Sequence, residues 1–334
     1  MNALAANTAG NRWTRTFAWL LRREFWENRG GFLWAPVITG GIAVAMATLL
    51  ALAGAVQARR QLGGGEAESI DDLGAYLRIV GAAGDGLLMA GCSMLSAVLA
   101  FVVFFYALGS LYDDRRDRSV LFWKSLPVSD AQTVLSKAAW ALLLAPLLSV
   151  LVGLAVGIAL WLVAAVAMLV GGLPHPGALF THSHPFSVAG RLLATVPLGL
   201  LWSLPTVGWL MFCSALVRSK PFLWAALVPV LGCVMLSVFG AVPGLDLPYG
   251  KIWYVAVYRG LMSVMPGSWS VHGMGSRLQS GEIHDPSQLV SAILDQTSNW
   301  QLYASWDLWI GAAVGAALVA AAIPLRRWRD EASA

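Results

Sequence analysis

Residues 113–137, DDRRDRSVLFWKSLPVSDAQTVLSK, open with six consecutive charged side chains: Asp113, Asp114, Arg115, Arg116, Asp117 and Arg118. Ser119, the aromatic pair Phe122–Trp123 and Lys124 follow, then Leu126-Pro127-Val128-Ser129-Asp130 and finally Lys137. Mixed charge beside exposed aromatic rings is the chemistry of docking onto another protein, where complementary charge sets register and the rings supply buried area. A loop that only enforces membrane topology is the plain alternative, but it needs Lys and Arg and has no use for interleaved aspartates. Catalytic patterns are weak by comparison. There is no H-E-x-x-H, and Ser136-Lys137 and Ser268–His272 only place a hydroxyl near a base in sequence. His175, His182 and His184 could offer imidazoles to a metal, yet no Cys or carboxylate stands beside them, and Pro174, Pro176 and Pro185 mark irregular chain. A solvated loop is the simpler reading. A phosphate-binding loop is excluded: at the one Gly-Lys pair, Gly250-Lys251, position 245 is Leu and position 252 is Ile.

The elements that must position these residues are set by composition. Of 334 residues, 58% are hydrophobic and 12% charged, and mean hydropathy is +0.67. Soluble domains carry roughly 25% charged residues, so this chain has too little polar surface to clothe a globule and is not a disordered segment either. Cys92, Cys213 and Cys233 all lie in apolar runs and form neither a disulfide framework nor a zinc pattern. The net charge of +4 suits basic loops at a membrane better than a nucleic-acid surface.

Six stretches lack Asp, Glu, Lys, Arg and His: 34–56, 86–112, 138–170, 192–217, 221–242 and 308–325. Each reaches or nears the ~20 residues that cross a bilayer as helix. The expected fold is therefore an all-α polytopic membrane protein, a single domain over 1–334 with six spans. Pro146, Pro197, Pro205 and Pro229 are candidate bends. Residues 1–33 read as an interfacial helix, because Trp13, Phe17, Leu20 and Leu21 recur at helical spacing among arginines; a solvated basic tail is the alternative. No signal-peptide pattern is present there. With both termini cytoplasmic, fifteen Lys and Arg fall inside and seven outside, which favours that orientation. Residues 57–85 and 171–190 are then external loops, and 243–305 is a long external segment in which 252–266 reads as a re-entrant or interfacial helix. Ser125 or Ser129 is expected to open a second short helix in the 113–137 loop after Pro127. Gly153–Gly157 and Gly311–Gly315 have the spacing of close helix packing, within the chain or across a dimer seam.

Three features together resemble the permease subunit of ABC-2 type ATP-binding-cassette transporters. The first is Leu21-Arg22-Arg23-Glu24-Phe25-Trp26-Glu27-Asn28-Arg29-Gly30, similar to the family's connecting helix ahead of the first span. The second is Asp117-Arg118-Ser119, Leu126-Pro127-Val128-Ser129 and Lys137 in the loop after the second span. The third is six spans with a large external segment before the last. The resemblance implies a coupling helix over Asp113–Ser125, seated on a separate ATPase subunit. It also implies two ATPase copies that hold ATP and Mg, a second permease copy or related permease, and export across a bacterial inner membrane. No cofactor, metal or catalytic role is expected on this chain itself.

The residues argue independently in the same direction. Ion-coupled carriers usually place an ionisable side chain at membrane depth, and none of the six stretches holds one. With no nucleotide site either, energy must come from a partner, and the 113–137 loop is the best surface to receive it. A non-transporting sensor or assembly subunit is the chief alternative, and a membrane enzyme a further one. Cargo is expected to be hydrophobic or amphiphilic.

Overall fold

A computed structural model describes residues 2–62, 72–117, 128–239, 248–270 and 300–331. Every regular element among them is a helix. Five helical segments are long and apolar enough to cross a membrane, so the chain is an all-α polytopic membrane protein.

Helix α1 (Asn2–Arg29) leads through a π turn (Gly30–Trp34) into α2 (Ala35–Leu62). The junction bends at Asn28, whose φ of −110° and ψ of 16° leave the helical region. Its side-chain amide donates to the Glu24 carbonyl at 3.1 Å and so replaces a lost helix bond. The expected change from a charged first segment to an apolar span thus falls at Asn28–Trp34, and the long apolar run follows it.

Helix α3 (Leu73–Gly109) is longer than the charge-free stretch 86–112. It opens at Asp72, whose side chain accepts from the Ala75 amide at 2.9 Å, and Leu77, Val80 and Gly84 continue its inner face. Residues 57–62 and 73–85, read as external loop, are therefore helical, because one buried carboxylate, Asp85, does not interrupt an otherwise apolar helical face. At 1.5 Å per residue α3 is about 55 Å long, more than the ~30 Å hydrocarbon core.

A short α4 (Tyr112–Arg116) ends at Asp117. Helix α5 (Asp130–Ala139) continues through a π turn (Trp140–Leu144) into α6 (Ala145–Gly171). Pro146, one of the candidate bends, falls in the first turn of α6 directly after that π turn: proline has no N–H to give the preceding turn, and the wider turn absorbs the missing bond. Helices α7 (Ala178–His182) and α8 (Pro185–Ala194) occupy much of the stretch read as a loop, and α9 (Val196–Leu216) carries Pro205 inside it. A π turn (Leu223–Leu227) and α10 (Val228–Phe239) form a shorter apolar helix of the 221–242 stretch; it is not among the five long ones. Helix α11 (Tyr249–Trp253) and its π extension (Tyr254–Arg259) fold back against α10, with the Trp253 indole donating to Ser237 Oγ at 2.7 Å. Helix α12 (Trp306–Glu331) closes the bundle.

The long helices are neighbours in the order α2, α6, α3, α9, α12. Both glycine pairs serve packing within the chain. A Cβ on Gly91 of α3 would lie 2.6 Å from the Gly157 amide nitrogen, and one on Gly153 would lie 2.7 Å from the Cys92 Cα. Gly315 of α12 packs likewise on the Leu204–Pro205 backbone of α9. A core of Phe32, Leu99, Val103, Leu111, Trp140, Leu210 and Met211 fills the end of the bundle near α1, here called the basal end.

Candidate functional site

The basal end gathers ionisable residues from four separate parts of the chain. Glu24 of α1 is fully buried, Lys137 of α5 is 3% exposed and Arg326 of α12 is 4% exposed. Lys137 Nζ lies 3.1 Å from Glu24 Oε1 and 3.5 Å from Asp114 Oδ1. Arg326 reaches Asp114 at 3.8 Å and Asp130 at 3.6 Å. The Tyr106 hydroxyl of α3 donates to Glu24 Oε2 at 2.8 Å. Three carboxylates thus surround two bases, and a phenol supplies one of the missing donors. Charges removed from water are tolerated only when paired in this way, and removing one member strands the others.

Local sequence explains how each member arrives. Leu20 and Glu24 share the inner face of α1, where Phe25 stacks on Trp140 at 5.5 Å and the Trp140 indole donates to the Leu21 carbonyl at 2.7 Å. Asp113 and Asp114 occupy the first turn of α4, where the helix dipole favours them. Ser129 opens α5 with a capping box: its hydroxyl accepts from the Gln132 amide, and the Gln132 side chain accepts from the Ser129 amide, both at 3.2 Å. Of the two expected starts, Ser129 is the one observed; Ser125 lies outside the described residues.

The predicted docking residues divide. Arg115 turns inward and caps the end of α9, donating to the carbonyls of Ala215 at 2.8 Å, Val217 at 3.2 Å and Ser214. Asp114 belongs to the buried network. Asp113, Arg116 and Asp117 are exposed. Burial and the neighbouring Asp117 push the Asp113 carboxyl up from its ordinary range, while Arg116 pulls it partly back. Arg118, Ser119, Phe122, Trp123 and Lys124, and with them most of the expected coupling helix Asp113–Ser125, lie outside the described residues.

The interfacial-helix residues also divide. Glu24 faces inward and Phe25 is half-buried, whereas Arg22 and Trp26 are exposed and Arg23 pairs with Glu27 at 2.6 Å. Arg15, Trp19, Arg22, Trp26 and Arg29 form an exposed stripe at alternating spacings of four and three. Arg22 lies over Trp19 and Arg29 over Trp26, each at 5.6 Å. Such a face suits the membrane–water boundary.

A second buried charge, not anticipated, stands at the distal end. Arg259, read as an external positive residue, is 5% exposed. Its guanidinium sits 3.8 Å over the Trp202 ring, donates to the carbonyls of Trp202 and Asp307 at 3.2 Å, and approaches the Asp307 carboxylate at 3.6 Å. The Thr206 hydroxyl donates to the Arg259 carbonyl at 3.1 Å. The sequence signal was a lone Arg inside IWYVAVYRGLMSVMP, followed by a lone Asp just before the last span. Asp85 was likewise missed; it accepts from the His184 amide at 2.7 Å and so anchors α8. The charge-free character of the second apolar stretch therefore does not extend along the whole of α3.

The three histidines do not converge, and no group of three or more His, Cys, Asp and Glu among the described residues is placed to hold a metal ion. No protein-family model, curated protein or solved structure matches the chain.

Proposed function

We propose that this chain is the membrane-spanning subunit of an ATP-driven transporter of the ABC-2 permease type, with hydrolysis on a separate ATPase. In this reading the basal end is cytoplasmic, both termini are inside, α10 with its flanking residues is a sixth span, and α11 is re-entrant from outside. Two such permeases, or two related ones, work with two ATPase copies that carry ATP and Mg, in a bacterial inner membrane and in the export direction.

The observation that carries the reading is the Glu24–Lys137–Asp114–Arg326 network. A force applied to exposed Arg116 and Asp117 at the end of α4 reaches α1, α5 and α12 through one buried cluster, and α5 is continuous with the membrane helix α6. Motion at a small surface becomes motion of packed helices when the joint between them is stiff. A chain without its own phosphate-binding loop needs such a lever. Asp85 is not free to act as an ion-coupling carboxylate, because its side chain accepts from the His184 amide at the start of α8.

The test is co-purification and reconstitution with the ATPase. Reversing charge with Arg116→Glu and Arg118→Glu is expected to leave insertion intact and to uncouple hydrolysis from the membrane subunit. Normal complex formation and transport in that double variant would overturn the proposal, as would uphill transport by the isolated chain.

A further inference from the structure

A cleft of about 920 Å³ opens at the basal end between the α1–α2 bend and the foot of α3. Its volume lies in the range of small-molecule sites. Its lining includes three aromatic residues, Phe101 and Phe105, 56% and 58% exposed, and Tyr106. It also carries four carboxylates, Glu27, Asp113, Asp114 and Asp117, against two bases, Arg23 and Lys137. Both bases are committed, Arg23 to Glu27 and Lys137 to Glu24 and Asp114. Asp113 and Asp117 have no ion pair among the described residues; Arg116 beside them is exposed, and it and Lys137 act on Asp113 from outside pairing distance.

We propose that this cleft binds a cationic amphiphile, its positive head between Asp113 and Asp117 and its apolar body against Phe101, Phe105 and Tyr106. A cation gains from both kinds of lining residue, since carboxylates and ring faces are both negative, and an anion of the same shape is repelled by both. As the uptake site of transported cargo this rests on the transporter reading above; as a binding site it does not.

The experiment uses the full chain in phosphatidylcholine nanodiscs and two probes of matched shape and opposite charge, tetraphenylphosphonium and tetraphenylborate, with protein-free discs as background. Saturable phosphonium binding is expected, with no borate binding above background. Asp113→Asn with Asp117→Asn should weaken the phosphonium by about tenfold or more. Both aspartates are exposed, so the fold should tolerate the change. Gly30→Leu is an independent variant: a Cβ there meets nothing within 4 Å, so the new side chain enters the cleft without displacing its walls, and it should abolish binding. Absence of saturable phosphonium binding would overturn the proposal. Equal borate binding, or indifference to both variants, would do the same. Binding without ATPase-driven transport of the probe would support the site and remove its role in cargo uptake instead.

Discussion

The two buried charge clusters stand at opposite ends of the bundle and are built differently. At the basal end, Lys137 and Arg326 share three carboxylates, so each base has more than one partner, and the partners come from α1, α4 and α5. At the distal end, Arg259 is held largely by the backbone carbonyls of Trp202 and Asp307 and by one indole ring, with a single carboxylate that is 46% exposed. Side-chain partners on separate helices can exchange as those helices shift, whereas carbonyls of a packed helix cannot. The basal cluster has the construction of a joint and the distal one that of a clamp. The clamp fixes the fold-back of α11 onto α9 and α12; the joint is where α1, α4, α5 and α12 meet.

This contrast is broken most severely by Lys137→Met. It leaves fully buried Glu24 without its base, while Asp114 keeps Arg326, and a loss of about 3–5 kcal/mol is expected from stranding a buried charge. The melting midpoint in detergent should fall accordingly, and adding Glu24→Gln should restore part of it. Retention of the wild-type midpoint would mean that the network carries no strain-sensitive pairing.

Arg259→Met should cost less, about 1–3 kcal/mol, because the carbonyls it leaves occupy helical positions and Asp307 can turn toward solvent. The effect should be local: faster amide exchange in Tyr249–Arg259 with little change in α1 or α5. Uniform exchange across the bundle would erase the distinction between clamp and joint.

Ser129→Ala removes the capping box that starts α5 beside the joint, for about 1 kcal/mol. Helicity at Asp130–Val134, followed by hydrogen exchange, should show it.

The smallest effect concerns pH. The native state raises the Asp113 pKa, so it holds that proton more tightly than the unfolded chain does. The resulting stabilisation is present below the ordinary carboxylate range near ~4 and is lost as pH rises through the raised native value. Asp113→Asn should therefore gain on the wild type between acidic and neutral pH. Melting midpoints of the two proteins measured across that window should diverge upward; convergence would contradict the sign.

Much of the architecture was legible as pattern. The apolar runs announced helices, and Ser129 was one of two serines that could open a helix after Pro127, because these depend on neighbours in sequence. The change at Asn28–Trp34 was visible for the same reason: arginines stop and apolar residues begin. The buried charges were not legible in this way. Glu24, Asp114, Lys137 and Arg326 each look like ordinary boundary residues, since a carboxylate at the edge of a helix reads the same whether it meets water or a lysine. Arg259 looked external because one-dimensional counting assigns a charge to the loop in which it falls.

Composition and period by themselves determined that this chain is a multi-helix membrane protein with a charged, aromatic segment between two of its long helices. Apolar surface seeks burial or lipid whatever the order of the helices, so that result needs no tertiary information. Which charges face one another was decided only when the helices packed. Glu24 and Lys137 are 113 residues apart and come within 3.1 Å. An ion pair depends on distance through space, and nothing in the spacing of these residues along the chain encodes it.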